Sequence, residues 1–532
     1  QEAYNLIVFS FLKKNVVLLH GVTSSGKTEI YIHLIRQALE RKQQVLYLLP
    51  EIALTVQIRQ RLQRVFGDRL GIYHSKYSDA ERVEIWKKQM SQNPYGVILG
   101  ARSAVLLPFS NLGLVIIDEE HETSFKQQDP APRYHARSAA IMLAAKAGAK
   151  VLLGSATPCA ETWHNARTGK YGYVRLDKRF GDMQMPEINV VDIKDLQHRK
   201  MMNGPFSPLL LSSVRRALDN KEQVILFQNR RGFAPMIECR ECGWTPRCEA
   251  CDVSLTFHKA LGQLTCHYCG RTYAVPDVCP CCGSHDLRGR GYGTEKVEDK
   301  VMELFPDARV ARMDLDTTRT RNAYERLISD FSAHRTDILI GTQMVSKGLD
   351  FDKVSVVGIL NADSMLNYPD FRAYEHAFTM MAQVAGRAGR KGKRGLVILQ
   401  TKSPELPVIA QVVRNDMEGF YSDLLEERQL FRYPPFYHII NVYLRHKDEP
   451  VVCAAADALG TLLRQWFGTR VLGPDKPSVA RVKAMNIRKM VVKLELGIDL
   501  AKVRLYLNKG KSAVLQDNRY KTVTVYFDVD PL

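Results

Sequence analysis

Gly21-Val22-Thr23-Ser24-Ser25-Gly26-Lys27-Thr28 stands between an apolar run, Val16-Val17-Leu18-Leu19, and a stretch from Glu29 to Ala38 with apolar residues at Ile30, Leu34 and, just beyond, Leu39. The octet fits G-x-x-x-x-G-K-[ST], and its flanks read as a buried strand before it and a helix after it. In that setting the glycines let the backbone curl so that its N–H groups face phosphate at a helix N-terminus, where anions are favoured. All eight residues are therefore the expected nucleotide-binding loop, with Lys27 on the β- and γ-phosphates and Thr28 on magnesium.

Working outward, the chain alternates apolar runs with polar strand ends. Val45-Leu46-Tyr47-Leu48-Leu49 ends at Pro50-Glu51, and Gly96-Val97-Ile98-Leu99-Gly100 leads into Ala101-Arg102-Ser103. Leu114-Val115-Ile116-Ile117 ends at Asp118-Glu119-Glu120-His121, and Val151-Leu152-Leu153 at Gly154-Ser155-Ala156-Thr157-Pro158. Continuous apolar runs with functional residues at their C-terminal ends predict a parallel sheet covered by helices on both faces. Asp118, at the end of its run, is the expected magnesium carboxylate, and Glu119 the base that orients and deprotonates the attacking water. Between these segments, residues 124–137 mix Phe125, Tyr134 and His135 with Lys126, Arg133 and Arg137 around two prolines. Rings that stack on bases and cations that meet phosphates suit single-stranded nucleic acid. On composition alone a solvated loop reads equally well.

A second α/β set follows. Val224-Ile225-Leu226-Phe227, Ile338-Leu339-Ile340 and Val354 to Leu360 are its apolar runs, and it carries no second phosphate loop. Its segment Gln383-Val384-Ala385-Gly386-Arg387-Ala388-Gly389-Arg390 places two arginines beside glycines. Such a lobe can offer arginines to a γ-phosphate across a cleft.

GVTSSGKTE, LLPEIALT, DEEH, GSATP, GTQMVSKGLDF and QVAGRAGR occur here in the order and spacing of superfamily 2 helicases. DEEH, the F-K-Q…R-Y-H-A-R loop and a cysteine cluster inside the second lobe resemble the primosomal protein N′ (PriA) family of bacterial replication-restart helicases. The resemblance runs from Gln1 to Leu532. It implies two RecA-like lobes, at 1–175 and at 176–235 with 285–425, a zinc-binding insertion at 236–284 in the second lobe, and a small α+β C-terminal domain at 426–532. It implies ATP and magnesium as cofactors, catalytic roles for Lys27, Asp118, Glu119, Gln383, Arg387 and Arg390, and nucleotide contacts from Gly348 and Asp350. The loop coupling DNA to ATP hydrolysis would be Phe125, Lys126, Arg133, Tyr134 and His135 with their neighbours. The implied activity is 3′→5′ unwinding of DNA and reloading of the replication machinery at stalled forks. The implied partners are forked and single-stranded DNA, primosome proteins and single-stranded DNA-binding protein, in the bacterial cytoplasm and nucleoid. Two departures stand out: Ser24 where the family usually has Gly, and Ser138 where an Asp commonly follows the Ala-Arg pair. Family members carry further DNA-binding domains ahead of these motifs, which here begin close to Gln1. The expectation is therefore a chain that binds DNA but discriminates forks weakly.

Of the eleven cysteines, eight form C-x-x-C pairs: Cys239/Cys242, Cys248/Cys251, Cys266/Cys269 and Cys279/Cys282. Clustered pairs without secretory features read as zinc rather than disulfides, with a redox cluster as the alternative. Val253, Leu255 and Phe257 alternate between the second and third pairs, and Gly262 can turn the chain. That predicts a hairpin closing a zinc ribbon on the inner pairs, with the outer pairs sharing a second ion. Two zinc ions per chain follow, and Cys159, Cys281 and Cys453 are left over.

The formal net charge of +18 favours a polyanionic partner. No apolar run is long enough for a bilayer. Beyond about Arg428 a β-α-β-β-α-β order suggests a ferredoxin-like layer, with Arg481, Lys483, Arg488 and Lys489 as a basic stretch that suits solvent or DNA equally. Three functions remain open on the motifs: an ATP-driven DNA helicase, a DNA-stimulated ATPase or translocase that does not separate strands, and a primosome-loading scaffold.

Overall fold

The computed structural model describes the chain except residues 23–24, 51–55, 75–76, 178–184, 230–236, 240, 250–252, 259–261, 267–270, 289–293, 315–316, 319–320, 346–350, 352, 390–393, 478, 483 and 532. Thr23, Ser24, Cys251, Cys269, Gly348, Asp350, Arg390 and Lys483 thus lie outside the described residues.

Strands β1 (Val16–Gly21), β2 (Gln44–Leu48), β3 (Leu70–Tyr73), β4 (Val97–Gly100), β5 (Leu112–Asp118), β6 (Lys150–Ser155) and β7 (Gly172–Leu176) form one parallel sheet in the order β3-β4-β2-β5-β6-β1-β7. Alternate residues along each strand feed opposite layers. Val17, Leu19, Val45, Tyr47 and Ile116 pack with Tyr31, Leu34 and Ile35 of the helix Lys27–Glu40. Leu18, Leu46, Val115, Ile117 and Leu153 pack with Ala136, Ala140 and Ala144 of the helix Ala136–Ala147. Burial on both faces is why these strands carry apolar runs without polar alternation. The edge strands β3 and β7 escape a reading by apolar runs: they include Gly71, Gly172 and the exposed Arg175, and are only partly buried.

The second lobe is a six-stranded parallel sheet. Its strands run Val310–Met313, Ile338–Gly341, Gln223–Phe227, Val354–Ile359, Leu396–Thr401 and Glu187–Asp192, in that spatial order. The cysteine-rich insertion leaves this lobe after Gln223–Phe227 and rejoins it before the helix Thr294–Leu304. Within it Thr256–His258, Gln263–Thr265 and Thr272–Ala274 form an antiparallel sheet, and Gly262 turns the expected hairpin at φ +60°. A side chain is strained at such a φ, which glycine avoids.

The C-terminal layer matches the ferredoxin-like expectation. Val471–Asp475, Met485–Glu495, Tyr437–His446 and Thr524–Val529 lie side by side in that order, all antiparallel. The helices Glu449–Phe467 and Leu500–Gln516 cover one face. From the sheet, Ile439 and Val491 pack in one cluster with Val253, Leu255 and Leu264 of the insertion. The basic stretch is split: Arg481 is exposed, whereas Arg488 is buried on Glu449 at 2.7 Å and desolvation lowers the pKa of the partly buried Lys489.

Candidate active site

The phosphate loop leaves β1 at the C-terminal end of its sheet, and Gly26 sits at φ +85° immediately before the helix that starts at Lys27. A Cβ on Gly21 would come within 2.8 Å of Ser25 Oγ and 3.2 Å of Leu176 Cβ and Lys27 Cγ, so a side chain there would crowd the loop. Lys27 Nζ donates to Gly21 O at 2.7 Å and Val22 O at 3.3 Å, bracing the loop around its own ammonium.

Asp118 ends β5 beside it. Its Oδ1 accepts from Tyr31 OH at 2.9 Å and from Glu119 N at 3.1 Å. Burial, reinforced by the Glu119 charge, pushes its pKa up to about 6. A bound cation would reverse that pressure, so the site suits a metal-facing carboxylate. Glu119 adopts φ +51°, a left-handed conformation that costs a non-glycine residue about 1–3 kcal/mol. Hydrogen bonds on either side hold it there, from Glu120 N to Gly154 O at 3.1 Å and from Glu122 N to Glu119 O at 2.9 Å.

Gln383, from the helix Ala373–Ala385 of the second lobe, reaches across the cleft. Its Nε2 lies 3.1 Å from Glu119 Oε2 and 2.9 Å from His121 Nε2. One amide group has two hydrogens, so it can serve both acceptors if the His121 proton sits on Nδ1. That tautomer then donates to Ser155 Oγ, 2.8 Å away. Ser155 also accepts from Thr157 N at 2.9 Å. A single chain of bonds therefore runs from the second lobe through DEEH to the GSATP turn. Ser25 Oγ, Thr157 Oγ1 and Gln383 Oε1 are buried around it without a hydrogen-bond partner among the described residues. Such polar atoms are stable when a bound polar group or water satisfies them. A cleft of about 210 Å³ opens here, lined by His20, Val22, Thr157, Arg175, Asp177 and Gln383 among others. Burial and the Arg175 charge lower His20 to about 4, so its imidazole is neutral, between Tyr173 OH at 2.9 Å and Ala156 O at 3.2 Å. Arg387 lies one turn beyond Gln383, where its charge acts on the Tyr324 phenol within the second lobe. Gln1 is exposed and bonded to Asn5.

The loop after DEEH is ordered from both ends. Lys126 and His135 form an antiparallel bridge, and Gln127 N donates to Tyr134 O at 2.9 Å. Phe125 is 1% exposed in the lobe 1 core, which corrects the expectation of a base-stacking ring at that position. A fully packed ring offers no face to a base. Tyr134 is half-buried, and its OH donates to Arg102 O at 3.3 Å. Burial among the charges of Arg137 and Lys126 keeps His135 neutral.

In the insertion, the sulfurs of Cys239, Cys242, Cys279 and Cys282 lie within 4.8 Å of one another. Cys239 Sγ is 3.6 Å from Cys282 Sγ, and Cys242 Sγ 3.4 Å from Cys279 Sγ. Tetrahedral zinc with Zn–S of about 2.3 Å separates its sulfurs by about 3.8 Å, so the set fits zinc. The outer pairs do meet, as the nested arrangement requires. Each pair's first cysteine makes the same turn. Cys239 N donates to Trp244 O, Cys248 N to Val253 O, Cys266 N to Arg271 O and Cys279 N to Ser284 O, all at 2.8–2.9 Å.

Four family models match separate stretches of the chain. Residues 2–165 match the DEAD/DEAH box helicase model and residues 293–392 the helicase conserved C-terminal domain. Residues 248–272 match the PriA DNA helicase Cys-rich region domain, and residues 429–532 the primosomal protein N C-terminal domain. The chain is 39% identical over 518 residues to replication restart protein PriA of Bacillus subtilis (strain 168), covering 97% of this chain and 64% of that one. It is 41% identical over 466 residues to replication restart protein PriA of Treponema pallidum (strain Nichols), covering 87% of this chain and 70% of that one. The chain belongs to the PriA replication restart family.

Against those relatives the chain spans about two thirds of their length. A solved structure of RecG bound to a three-way DNA junction aligns with a TM-score of 0.46 at 15% identity, covering 80% of this chain and 46% of that one.

The structure also shows what the motifs of this PriA-family chain left out. Glu120 is fully buried and collects Cys159 N, Thr162 Oγ1 and Arg137 Nη1 at 2.8, 2.8 and 2.6 Å. It is a structural hub between the loop and the GSATP turn, one residue from Glu119. At the lobe junction, Glu161 of lobe 1 lies 2.7 Å from Arg372, and Glu375 lies 2.5 Å from Arg428. Arg372 and Arg428 each reach both carboxylates, at 3.2 Å to Glu375 and 3.5 Å to Glu161 respectively, and Glu375 Oε1 also accepts Ala160 N at 2.7 Å. The only legible signal was their i, i+3 spacing at Arg372 and Glu375. Arg428 is 1% exposed, so removing it takes from the buried Glu375 the nearer of its two guanidinium partners and leaves Arg372 to hold both carboxylates. Arg428→Ala is expected to destabilise the chain by about 3–5 kcal/mol in denaturant titration. A loss under about 1 kcal/mol, the value of a surface pair, would contradict the buried assignment.

Proposed function

We propose that this chain is an ATP-dependent 3′→5′ DNA helicase that recognises and remodels stalled replication forks and initiates primosome assembly for replication restart. The supporting observation is the Gln383 amide within hydrogen-bond distance of both Glu119 and His121 across the cleft. Closing the lobes thereby aligns the residue that handles the attacking water.

In this reading Lys27, with the backbone of 21–28, holds the β- and γ-phosphates. Thr28 and Asp118 would hold magnesium, which neutralises charge on the phosphates. Glu119 takes the proton of the attacking water, with Gln383 and His121 fixing its carboxylate. Arg387 and Arg390 supply positive charge to the γ-phosphate, and Gly348 and Asp350 complete the nucleotide contacts from the second lobe. Cys239, Cys242, Cys279 and Cys282 hold one structural zinc. The shared turn at Cys248 and Cys266 supports a second on Cys248, Cys251, Cys266 and Cys269. DNA, forked and single-stranded, lies on the cationic surface, with primosome proteins and single-stranded DNA-binding protein as partners. No helix among the described residues is long and apolar enough to cross a membrane. The cytoplasm and nucleoid are the fitting location.

Strand displacement on a forked duplex, with and without ATP, tests the whole reading. Hydrolysis without displacement would make the chain a translocase, and displacement independent of ATP would remove the motor. The loop is tested separately. Tyr134→Ala is expected to keep DNA-free hydrolysis while losing most of its stimulation by single-stranded DNA. Phe125→Ala is expected to do the same through the packing beneath the loop, with a stability loss of about 3–5 kcal/mol. Stimulation ratios equal to wild type in both variants would mean that these rings only pack.

A further inference from the structure

The loop is gripped by a part of the fold far away in sequence. Its two cations assigned to phosphate, Lys126 and Arg133, both reach the C-terminal sheet. Lys126 Nζ lies 2.8 Å from Asp528 Oδ1 and donates to Val529 O at 2.6 Å, with its side chain 2% exposed. The same ammonium donates to Arg133 O at 3.3 Å, so it ties both arms of the loop to that strand. The Arg133 guanidinium sits 4.0 Å from the centre of the Tyr526 ring, which stacks on Tyr443 at 5.1 Å. Tyr526, Asp528 and Val529 belong to Thr524–Val529, the edge strand of the C-terminal sheet.

Each grip competes with nucleic acid. A phosphate approaching Lys126 meets the Asp528 carboxylate, a like charge, at the same ammonium. A base or phosphate approaching Arg133 meets a guanidinium already stacked on Tyr526. At its other end the loop runs into Arg137, which donates to Glu120 beside Glu119. A hold on one end of this loop is therefore a hold on the setting of the hydrolytic residues.

We propose that the C-terminal edge strand is a latch on the loop. Asp528 and Tyr526 are positioning residues that keep Lys126 and Arg133 from nucleic acid, and they thereby set how much DNA is needed to raise ATP turnover. The proposal rests on the reading that this loop couples DNA binding to hydrolysis. A state that must be released before it binds has its apparent affinity lowered by the fraction released.

The test measures ATP turnover of the full chain without DNA and across a titration with a single-stranded oligonucleotide, at fixed ionic strength. Asp528→Asn preserves shape and leaves Lys126 the Val529 carbonyl, and Tyr526→Leu keeps an apolar filler. Each is expected to lower the half-stimulating DNA concentration by at least about fivefold, the weight of one cation–π contact and a lower bound for a buried ion pair. DNA-free turnover is expected to rise, with maximal turnover unchanged. In a Lys126→Met background, Asp528→Asn is expected to change nothing further, because its partner is gone. An unchanged or raised half-stimulating concentration in both single variants overturns the latch, as does loss of maximal stimulation, which would make the strand a brace. A wild-type chain that DNA does not stimulate at all overturns the coupling reading and the latch together.

Discussion

Glu119→Gln is expected to bind ATP near wild-type affinity and to hydrolyse it about 10²–10⁴-fold more slowly, the usual contribution of a positioned general base. Glutamine keeps the shape of the side chain, and its carbonyl can still accept from the Gln383 amide that lies 3.1 Å from the carboxylate. What it loses is the basicity that takes the water's proton. Lys27→Ala is expected to abolish turnover by a different route. Its ammonium is bonded to the carbonyls of Gly21 and Val22, so removal takes away both a phosphate contact and the brace of the loop. Arg390→Ala is expected to bind ATP and to slow hydrolysis by about 10³–10⁵, as for other arginine fingers. Nucleotide-binding titrations beside single-turnover hydrolysis separate the three. Hydrolysis at wild-type rate in Glu119→Gln or Lys27→Ala would remove those residues from their roles, and near-normal turnover in Arg390→Ala would show that another group, Arg387 first, is the finger.

Metal removal is expected to have the largest structural effect. Structural zinc contributes apparent free energies of roughly 10–16 kcal/mol in small domains, more than the insertion's short strands can replace. A strong chelator is therefore expected to unfold residues 237–288, seen as new protease sites there. The damage is expected to spread to one face of the C-terminal sheet, because Val253, Leu255 and Leu264 share a cluster with Ile439 and Val491. The two parallel sheets enclose cores of their own and are expected to keep DNA-free ATP hydrolysis. Metal analysis is expected to give two zinc ions per chain, with Cys242→Ser releasing one and Cys266→Ser the other. One ion per chain in the wild type, or loss of both ions from either variant, would rule out two independent sites.

The elements read correctly from sequence are those whose pattern is local. Covered strands such as Val16–Gly21 and Leu112–Asp118 carry apolar runs up to their polar C-terminal ends, and the phosphate loop has glycine where its backbone turns left-handed at Gly26. The cysteine spacing is also local, and so was the ferredoxin-like order of the last hundred residues. Sequence by itself therefore determined the parallel α/β lobes, the glycine-containing loop between β1 and its helix, the acidic strand end and the meeting of the outer cysteine pairs. Tertiary structure alone decided the rest, because it depends on residues far apart in the chain. The edge strands Leu70–Tyr73 and Gly172–Leu176 needed a partner strand to be visible. Phe125 looks like a stacking ring until the core closes over it. Glu120 looks like one more acidic residue until Arg137 and Cys159 meet it, and Arg428 like a surface cation until Glu161 and Glu375 enclose it. Lys126 and Arg133 show the same limit most sharply. Their charge suits DNA, but which anion or ring they meet is set by a strand some four hundred residues away, and no local pattern carries that information.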